Sequence, residues 1–188
     1  MLFPGGNPLA FRRTARQADP VNTGQLSIRE ANAEDWPAIW PFFRRIVAAG
    51  ETYCYDRDLD EPRAREIWMQ QPPGRTVVAV DADGTVLGSA KAGPNQAGGG
   101  AHVSTAGFMV DPDRGRRGVG RALGEHVLAW ARDAGYRSMQ FNAVVESNTR
   151  AVALWRSLGF EVVGTVPEAF HHPTLGYVGL HVMYRRLG

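Results

Sequence analysis

From Leu26 onward the chain switches repeatedly between a two-residue and a three-to-four-residue hydrophobic period. Leu26-Ser27-Ile28-Arg29 alternates apolar and polar side chains, as a short half-buried strand does. Asn32, followed three residues later by Asp35, has the form of a helix start, although Asp is a weaker partner there than Glu or Gln. Residues 36–49 then place apolar side chains at helical spacing, interrupted at Pro41 and stopped at Gly50. Residues 61–69 predict a second, shorter helix with Pro62 in its first turn. Residues 76–80 and 86–92 read as strands on either side of the tight turn Asp81-Ala82-Asp83-Gly84, hence a hairpin. After the loop Gly98-Gly99-Gly100, residues 103–110 form another strand, ended by Asp111-Pro112. The strongest helical pattern is 119–134, with Val119, Leu123, Val127 and Trp130 on one face and Gly135 closing it. Residues 139–145 follow as a strand and 149–158 as a helix ended by Gly159; 161–166 and 177–184 supply the last two strands. The order β-α-α-β-β-β-α-β-α-β-β predicts a mixed three-layer α/β domain over residues 25–188 with an antiparallel first half. Residues 1–24 show no sustained period and read as an N-terminal arm.

Composition narrows this picture by exclusion. With 188 residues and 44% apolar content, one domain can bury a sizeable core without disulfides. The lone cysteine, Cys54, excludes an internal disulfide and a cysteine-built zinc site. No apolar run is long enough for a membrane helix, and the N-terminus lacks a secretory apolar stretch. A soluble, cytoplasmic protein is therefore expected. The arm carries Arg12, Arg13 and Arg16 against Asp19, which accounts for the whole net charge of +2. A neutral domain body gives no broad basic face, so no nucleic-acid partner is expected. Lys91 is the only lysine among 21 basic residues, a bias read as base composition and not as function.

The chemistry concentrates in Val110-Asp111-Pro112-Asp113-Arg114-Gly115-Arg116-Arg117-Gly118-Val119-Gly120-Arg121, where a strand ends, a Gly/Arg loop turns and a helix starts. The unpaired N–H groups and positive dipole end of a helix N-terminus bind phosphate, and glycines let the phosphate approach the backbone. Arg116, Arg117 and Arg121 add positive charge. A Walker loop is excluded because the only lysine lies elsewhere. A dinucleotide fingerprint would need glycine at the position held by Leu123. A tightly packed helix start without a ligand is the remaining alternative.

That loop, together with Asn148-x-x-Ala151-x-x-x-Trp155-x-x-x-Gly159-Phe160 downstream, resembles the GNAT superfamily of acetyl-CoA-dependent N-acetyltransferases over about residues 26–187. The resemblance implies a mixed sheet of about seven strands with about four helices. The fourth and fifth strands, 103–110 and 139–145, would splay to admit the pantetheine arm. It implies that the backbone of Phe108, Met109 and Val110 pairs with that arm, that Met109 N–H polarises the thioester carbonyl, and that Arg116, Arg117, Gly118, Val119, Gly120 and Arg121 hold the pyrophosphate. Asn148 would contact pantetheine, with a helix N-cap as a compatible second role. Two positions depart from the pattern. The Arg or Gln expected three residues before Gly118 is Gly115, and the tyrosine that often protonates the departing thiolate is Trp155, whose indole cannot serve as that acid. Trp155 is then read as packing beside the cofactor.

Segments 139–142, 153–160, 164–167 and 175–178 are similar to the branch that acetylates azetidine-2-carboxylate and related small amino acids. This implies that Asn142 touches the acceptor or the reacting carbonyl; the alternative is an asparagine satisfying splayed-strand backbone. Glu51, Tyr53 and Tyr55 lie between the first two helices, where the family builds its acceptor pocket. Glu51 is the candidate base, against a solvated loop carboxylate, and Glu146 is a second. Tyr53 and Tyr55 either pack or line the pocket, and Phe170 and His172 are expected to line it from before the last strand. Cys54 has no activating neighbour in sequence, and the adjacent His171 and His172 are poorly spaced to ligate one ion, so no metal is expected.

The function implied is acetyl transfer from acetyl-CoA to a small-molecule amine in a ternary complex. Two alternatives stay open: a protein N-terminus or lysine as acceptor, and an acyl-CoA-binding sensor without turnover. A homodimer is an open expectation for the assembly.

Overall fold

The computed structural model describes residues 26–114 and 118–188. Its strands are β1 (Leu26–Glu30), β2 (Arg75–Asp81), β3 (Val86–Pro94), β4 (Val103–Val110), β5 (Ser138–Val145), β6 (Glu161–His172) and β7 (Gly176–Arg186). Its helices are α1 (Trp36–Ala49), α2 (Glu61–Trp68), α3 (Val119–Asp133) and α4 (Thr149–Ser157). The strands form one seven-stranded sheet in the order β1-β2-β3-β4-β5-β7-β6. Every neighbouring pair is antiparallel except β4 and β5. The order of elements and the mixed three-layer architecture are those the periodicity predicts.

Strand alternation splits the core in two. In β2, Val77 and Ala79 pack with the α3 and α4 side chains Val119, Leu123, Val127, Val152 and Trp155. Val78 and Val80 point the other way, against Ile39, Phe42, Phe43 and Trp68 of α1 and α2. A strand buried on both faces reads as a continuous apolar run, which is why Val77-Val78-Ala79-Val80 shows no alternation in sequence.

The helix starts are built locally. Asn32 Oδ1 accepts the Glu34 N–H (2.8 Å), and Asp35 Oδ2 accepts the Asn32 N–H (2.8 Å), a reciprocal cap with Asp in the usual Glu position. Arg29 grips the Asp35 carboxylate with both terminal nitrogens, at 2.8 and 2.7 Å, and so holds its pKa below the usual carboxylate range. Pro41 does not interrupt α1, contrary to the expectation. It removes one internal hydrogen bond, and burial of Ile39, Phe42, Phe43 and Val47 on the same helix outweighs that loss.

Two irregularities shape the later strands. Between Phe141 and Val144 the β5–β7 register shifts, so Asn142 and Ala143 face one β7 residue. β6 runs six residues past its predicted end, to His172, because shifts between Val162 and Gly164 and between Val166 and Phe170 hide its period. No helix among the described residues is long and apolar enough to cross a membrane.

Candidate active site

β4 and β5 pair only at Val103↔Ser138 and Ser104↔Met139, and beyond that point they separate. Hydrogen bonds flanking β4 establish which backbone groups face the gap. Asn95 N–H donates to Val103 O (2.8 Å) and Asp111 N–H donates to Leu87 O (2.9 Å), so the odd-numbered residues turn toward β3. Alternation then turns Ala106, Phe108 and Val110 toward the gap. Met109 is corrected on this ground. Its amide belongs to the β3 side, and its side chain is 1% exposed in the α1/α2 core. Phe108, one residue earlier, is the residue that offers an amide to the gap.

Tyr53 sits on that amide. Its hydroxyl accepts the Phe108 N–H (3.0 Å) and donates to Phe108 O (2.7 Å). Its ring stacks on Tyr55 at 5.3 Å and meets Trp68 edge-on at 6.2 Å. Burial pushes the Tyr53 pKa far above the ordinary tyrosine range and that of Tyr55 up to about 12, so both hydroxyls are neutral donors at any working pH. Tyr53 therefore reaches the β4 edge at the gap, while Tyr55 packs behind it against Phe43. Glu51, in the same connection, is exposed and makes no hydrogen bond with a described residue.

A cluster of carboxamides joins Asn95, at the end of β3, to Gln140 and Asn142 of β5. Asn142 Nδ2 donates to Asn95 Oδ1 (2.6 Å), while Asn95 Nδ2 (3.3 Å) and Gln140 Nε2 (2.7 Å) donate to Asn142 Oδ1. Met139 and Phe141 belong to the α3/α4 core, so Gln140 and Asn142 occupy the opposite face, the one that carries α1 and α2. The β5 register shift falls at Asn142, where a bulge bends the strand and re-aims its side chain. Asn95 and Gln140 escaped the sequence reading because only the fold brings them to Asn142.

On the α3/α4 face, Trp155 closes the floor. Its ring lies 4.7 Å from Phe108 and 5.0 Å from Phe141, and it is 7% exposed, as the packing reading has it. The start of α3 is capped by Gly118 at φ +101°, a conformation that side-chain-bearing residues rarely adopt. The side chain of Val119 is buried, so only its N–H is available to a ligand. Arg121 reaches across to α4, where Nη2 donates to Ser157 Oγ (2.7 Å), and pairs with Glu125 (3.4 Å). Arg116 and Arg117 lie outside the described residues. Asn148 caps α4, its Oδ1 accepting the Ala151 N–H (3.2 Å), which leaves Nδ2 as its donor.

Glu146 Oε2 accepts the Gly179 N–H (3.0 Å) and ties β5 to β7. His172 Nδ1 accepts the N–H groups of Thr174 and Leu175, both at 3.3 Å, which fixes the β6–β7 turn beside buried Phe170. No hydrogen bond or ring contact among the described residues joins His172 or Phe170 to Tyr53, Phe108 or Asn142. His171 instead stacks on Tyr177 at 4.8 Å, so the two adjacent histidines are engaged separately. The Cys54 thiol has its pKa raised by partial burial, the wrong direction for a nucleophile.

A sheet opened between parallel strands, with an apolar floor and a glycine-started helix at its mouth, is built to receive an extended ligand that ends in phosphate. Residues 28–160 match the profile of the Acetyltransferase (GNAT) family. The chain is 31% identical over 142 residues to the N-acetyltransferase aca1 of Schizosaccharomyces pombe, covering 68% of each. It is 30% identical over 148 residues to the L-methionine sulfoximine/L-methionine sulfone acetyltransferase of Pseudomonas aeruginosa, covering 76% of this chain and 84% of that one. A solved GCN5-related N-acetyltransferase from Kribbella flavida shares 63% identity at a TM-score of 0.84, over 86% of this chain and 98% of its own. The chain belongs to the GNAT family and is an acetyl-CoA-dependent N-acetyltransferase.

Proposed function

We propose that this enzyme acetylates the amine of a small amino acid, of the kind handled by the azetidine-2-carboxylate branch, by direct attack within a ternary complex. The observation that carries the reading is the backbone edge of Phe108, aimed into the gap with a tyrosine hydroxyl beside it and the carboxamides of Gln140 and Asn142 on the facing strand. The name of the Pseudomonas aeruginosa relative supports an amino-acid acceptor.

Pantetheine lies along the gap, where the outward groups of Val110, and the Phe108 carbonyl once Tyr53 turns away from it, pair with its amides as an added strand would. Trp155 forms the apolar wall, and Asn148 Nδ2 donates to the arm. The first-turn N–H groups at Val119, Gly120 and Arg121 have no partners within α3 and receive the pyrophosphate, with Arg116 and Arg117 supplying charge.

The neutral amine attacks the thioester carbonyl carbon. A C–N bond forms, and the C–S bond breaks with its electron pair leaving on sulfur. The surplus amine proton passes to water held at Glu51. Negative charge collects first on the carbonyl oxygen, which replaces Tyr53 Oη as acceptor of the Phe108 N–H while the Tyr53 hydroxyl turns its one proton from Phe108 O to the same oxygen. Because burial raises the Tyr53 pKa well above that of a thiol, Tyr53 stabilises charge by hydrogen bonding and does not surrender its proton. The thiolate leaves unassisted, which accounts for Trp155 at the position of the usual acid.

Asn142 holds the acceptor. Asn142→Ala is expected to raise KM for the amino acid about tenfold, the loss of one or two hydrogen bonds, while KM for acetyl-CoA stays within about twofold. Steady-state kinetics with each substrate varied in turn measures both. An unchanged KM for the acceptor would remove Asn142 from the site.

A further inference from the structure

Lys91 stands on β3 opposite Gly107 of β4, one residue along from the reactive edge at Phe108. Its ammonium donates to Ile67 O (3.1 Å) and lies 5.6 Å from the Tyr55 ring centroid and 5.7 Å from that of Trp68. It joins no ion pair among the described residues. An ammonium has three donors, and here one is used. A half-buried cation with no counter-charge is costly, and burial lowers the Lys91 pKa to about 8. Those conditions change once an anion arrives.

The surroundings say where that anion would come from. A Cβ on Gly107 would stand 3.5 Å from Lys91 Cε and 3.5 Å from Trp68 Cζ3. Gly107 thus adds no side chain of its own between Lys91 and the edge at Phe108, and the Trp68 ring packs over the same point. Tyr55 lies beneath the ammonium and stacks on Tyr53, whose hydroxyl marks the reacting carbonyl. An α-amino acid carries its carboxylate one carbon from its amine, so an amine delivered to Phe108 brings a carboxylate into the neighbourhood of Gly107. We propose that Lys91 recognises the α-carboxylate of the acceptor and so selects amino acids over simple amines, an inference that rests on the amino-acid reading above.

The test compares the acceptor with the highest kcat/KM, chosen from the proteinogenic amino acids, azetidine-2-carboxylate and methionine sulfone, with the primary carboxamide of that same acceptor. The wild type is expected to favour the acid by about tenfold or more in kcat/KM, the worth of one charge-assisted hydrogen bond. In Lys91→Met that ratio falls to within about twofold of one. A lysine that merely caps the last turn of α2 would lower both activities in parallel and leave the ratio intact, and that result overturns the proposal. A second measurement needs no variant. Because the chain has one lysine, lysine labelled with 13C at Cε gives a single side-chain NMR signal. The acid form of the acceptor should move this signal and the carboxamide should not; a signal unmoved by both overturns the assignment. If the wild type acetylates no amino acid at all, the amino-acid reading itself fails, and this inference fails with it.

Discussion

Tyr53→Phe is expected to lower kcat about a hundredfold while KM for acetyl-CoA changes by less than about threefold. The reason lies in what the hydroxyl touches. It bonds both backbone groups of Phe108 where β4 stays paired with β3 on one side but has parted from β5 on the other. A donor aimed at the oxygen that gains charge in the transition state contributes far more to kcat than to ground-state binding, and loss of one such donor costs about 100- to 1000-fold. The ring itself remains stacked on Tyr55 and against Trp68, so the substitution deletes one oxygen and little packing. Two controls belong with the kinetics. The melting temperature should fall modestly, because the variant leaves the Phe108 carbonyl without its donor. The pH profile of kcat should show no limb in the ordinary tyrosine range in either form, because the wild-type hydroxyl is held neutral by burial. A kcat within about threefold of wild type would return Tyr53 to packing.

The largest effect on stability is expected at Trp68. It is fully buried, meets Phe43 edge-on at 5.4 Å, and donates its indole N–H to Ser89 Oγ (2.9 Å), whose hydroxyl in turn donates to Val77 O (2.9 Å). Trp68→Ala leaves a large void between α2 and the sheet and should cost about 3–5 kcal/mol, a loss of roughly 10 °C in melting temperature for a domain of this size. Trp68→Phe fills most of the space and removes only the N–H, so it should cost about 1 kcal/mol. Thermal unfolding followed by circular dichroism separates the two. Similar melting points for the alanine variant and the wild type would mean that this core relaxes freely. The two predictions are linked, because Trp68 forms one wall of the niche around Tyr53 and Lys91.

How far these residues could be read in advance follows from what each depends on. Helix α3, with Leu123 and Val127 on its buried face, and strand β4, ended by Asp111-Pro112, are written in local pattern and stop signals. The α3 loop was also legible, since glycines and arginines between a strand and a helix announce a phosphate site without tertiary information. The orientation of β4 was not. Whether Met109 or Phe108 turns its amide to the gap depends on register against β3, a single-residue parity that no local property encodes. The carboxamide cluster joins Asn95 to Gln140 and Asn142 on another strand. Pro41 looked like a break because its local cost is visible in sequence, whereas the burial that outweighs it is not. Lys91 was set aside for a similar reason. As a composition statistic it is one residue among 21, and only the fold reveals an ammonium beside two aromatic rings that pairs with no carboxylate among the described residues.

Direct passage of acetyl from the thioester to the amine of a small amino acid is read out by the release of free CoA thiol. The purified chain is mixed with acetyl-CoA and, one at a time, proteinogenic amino acids, azetidine-2-carboxylate, methionine sulfone, polyamines and short N-terminal peptides, and thiol and N-acetylated product are quantified together. Thiol release is expected to depend on the amine, to be strongest with a small amino acid, and to match the acetylated product mole for mole. Release confined to the peptides, or silence across the panel from protein that still binds acetyl-CoA, would contradict that expectation.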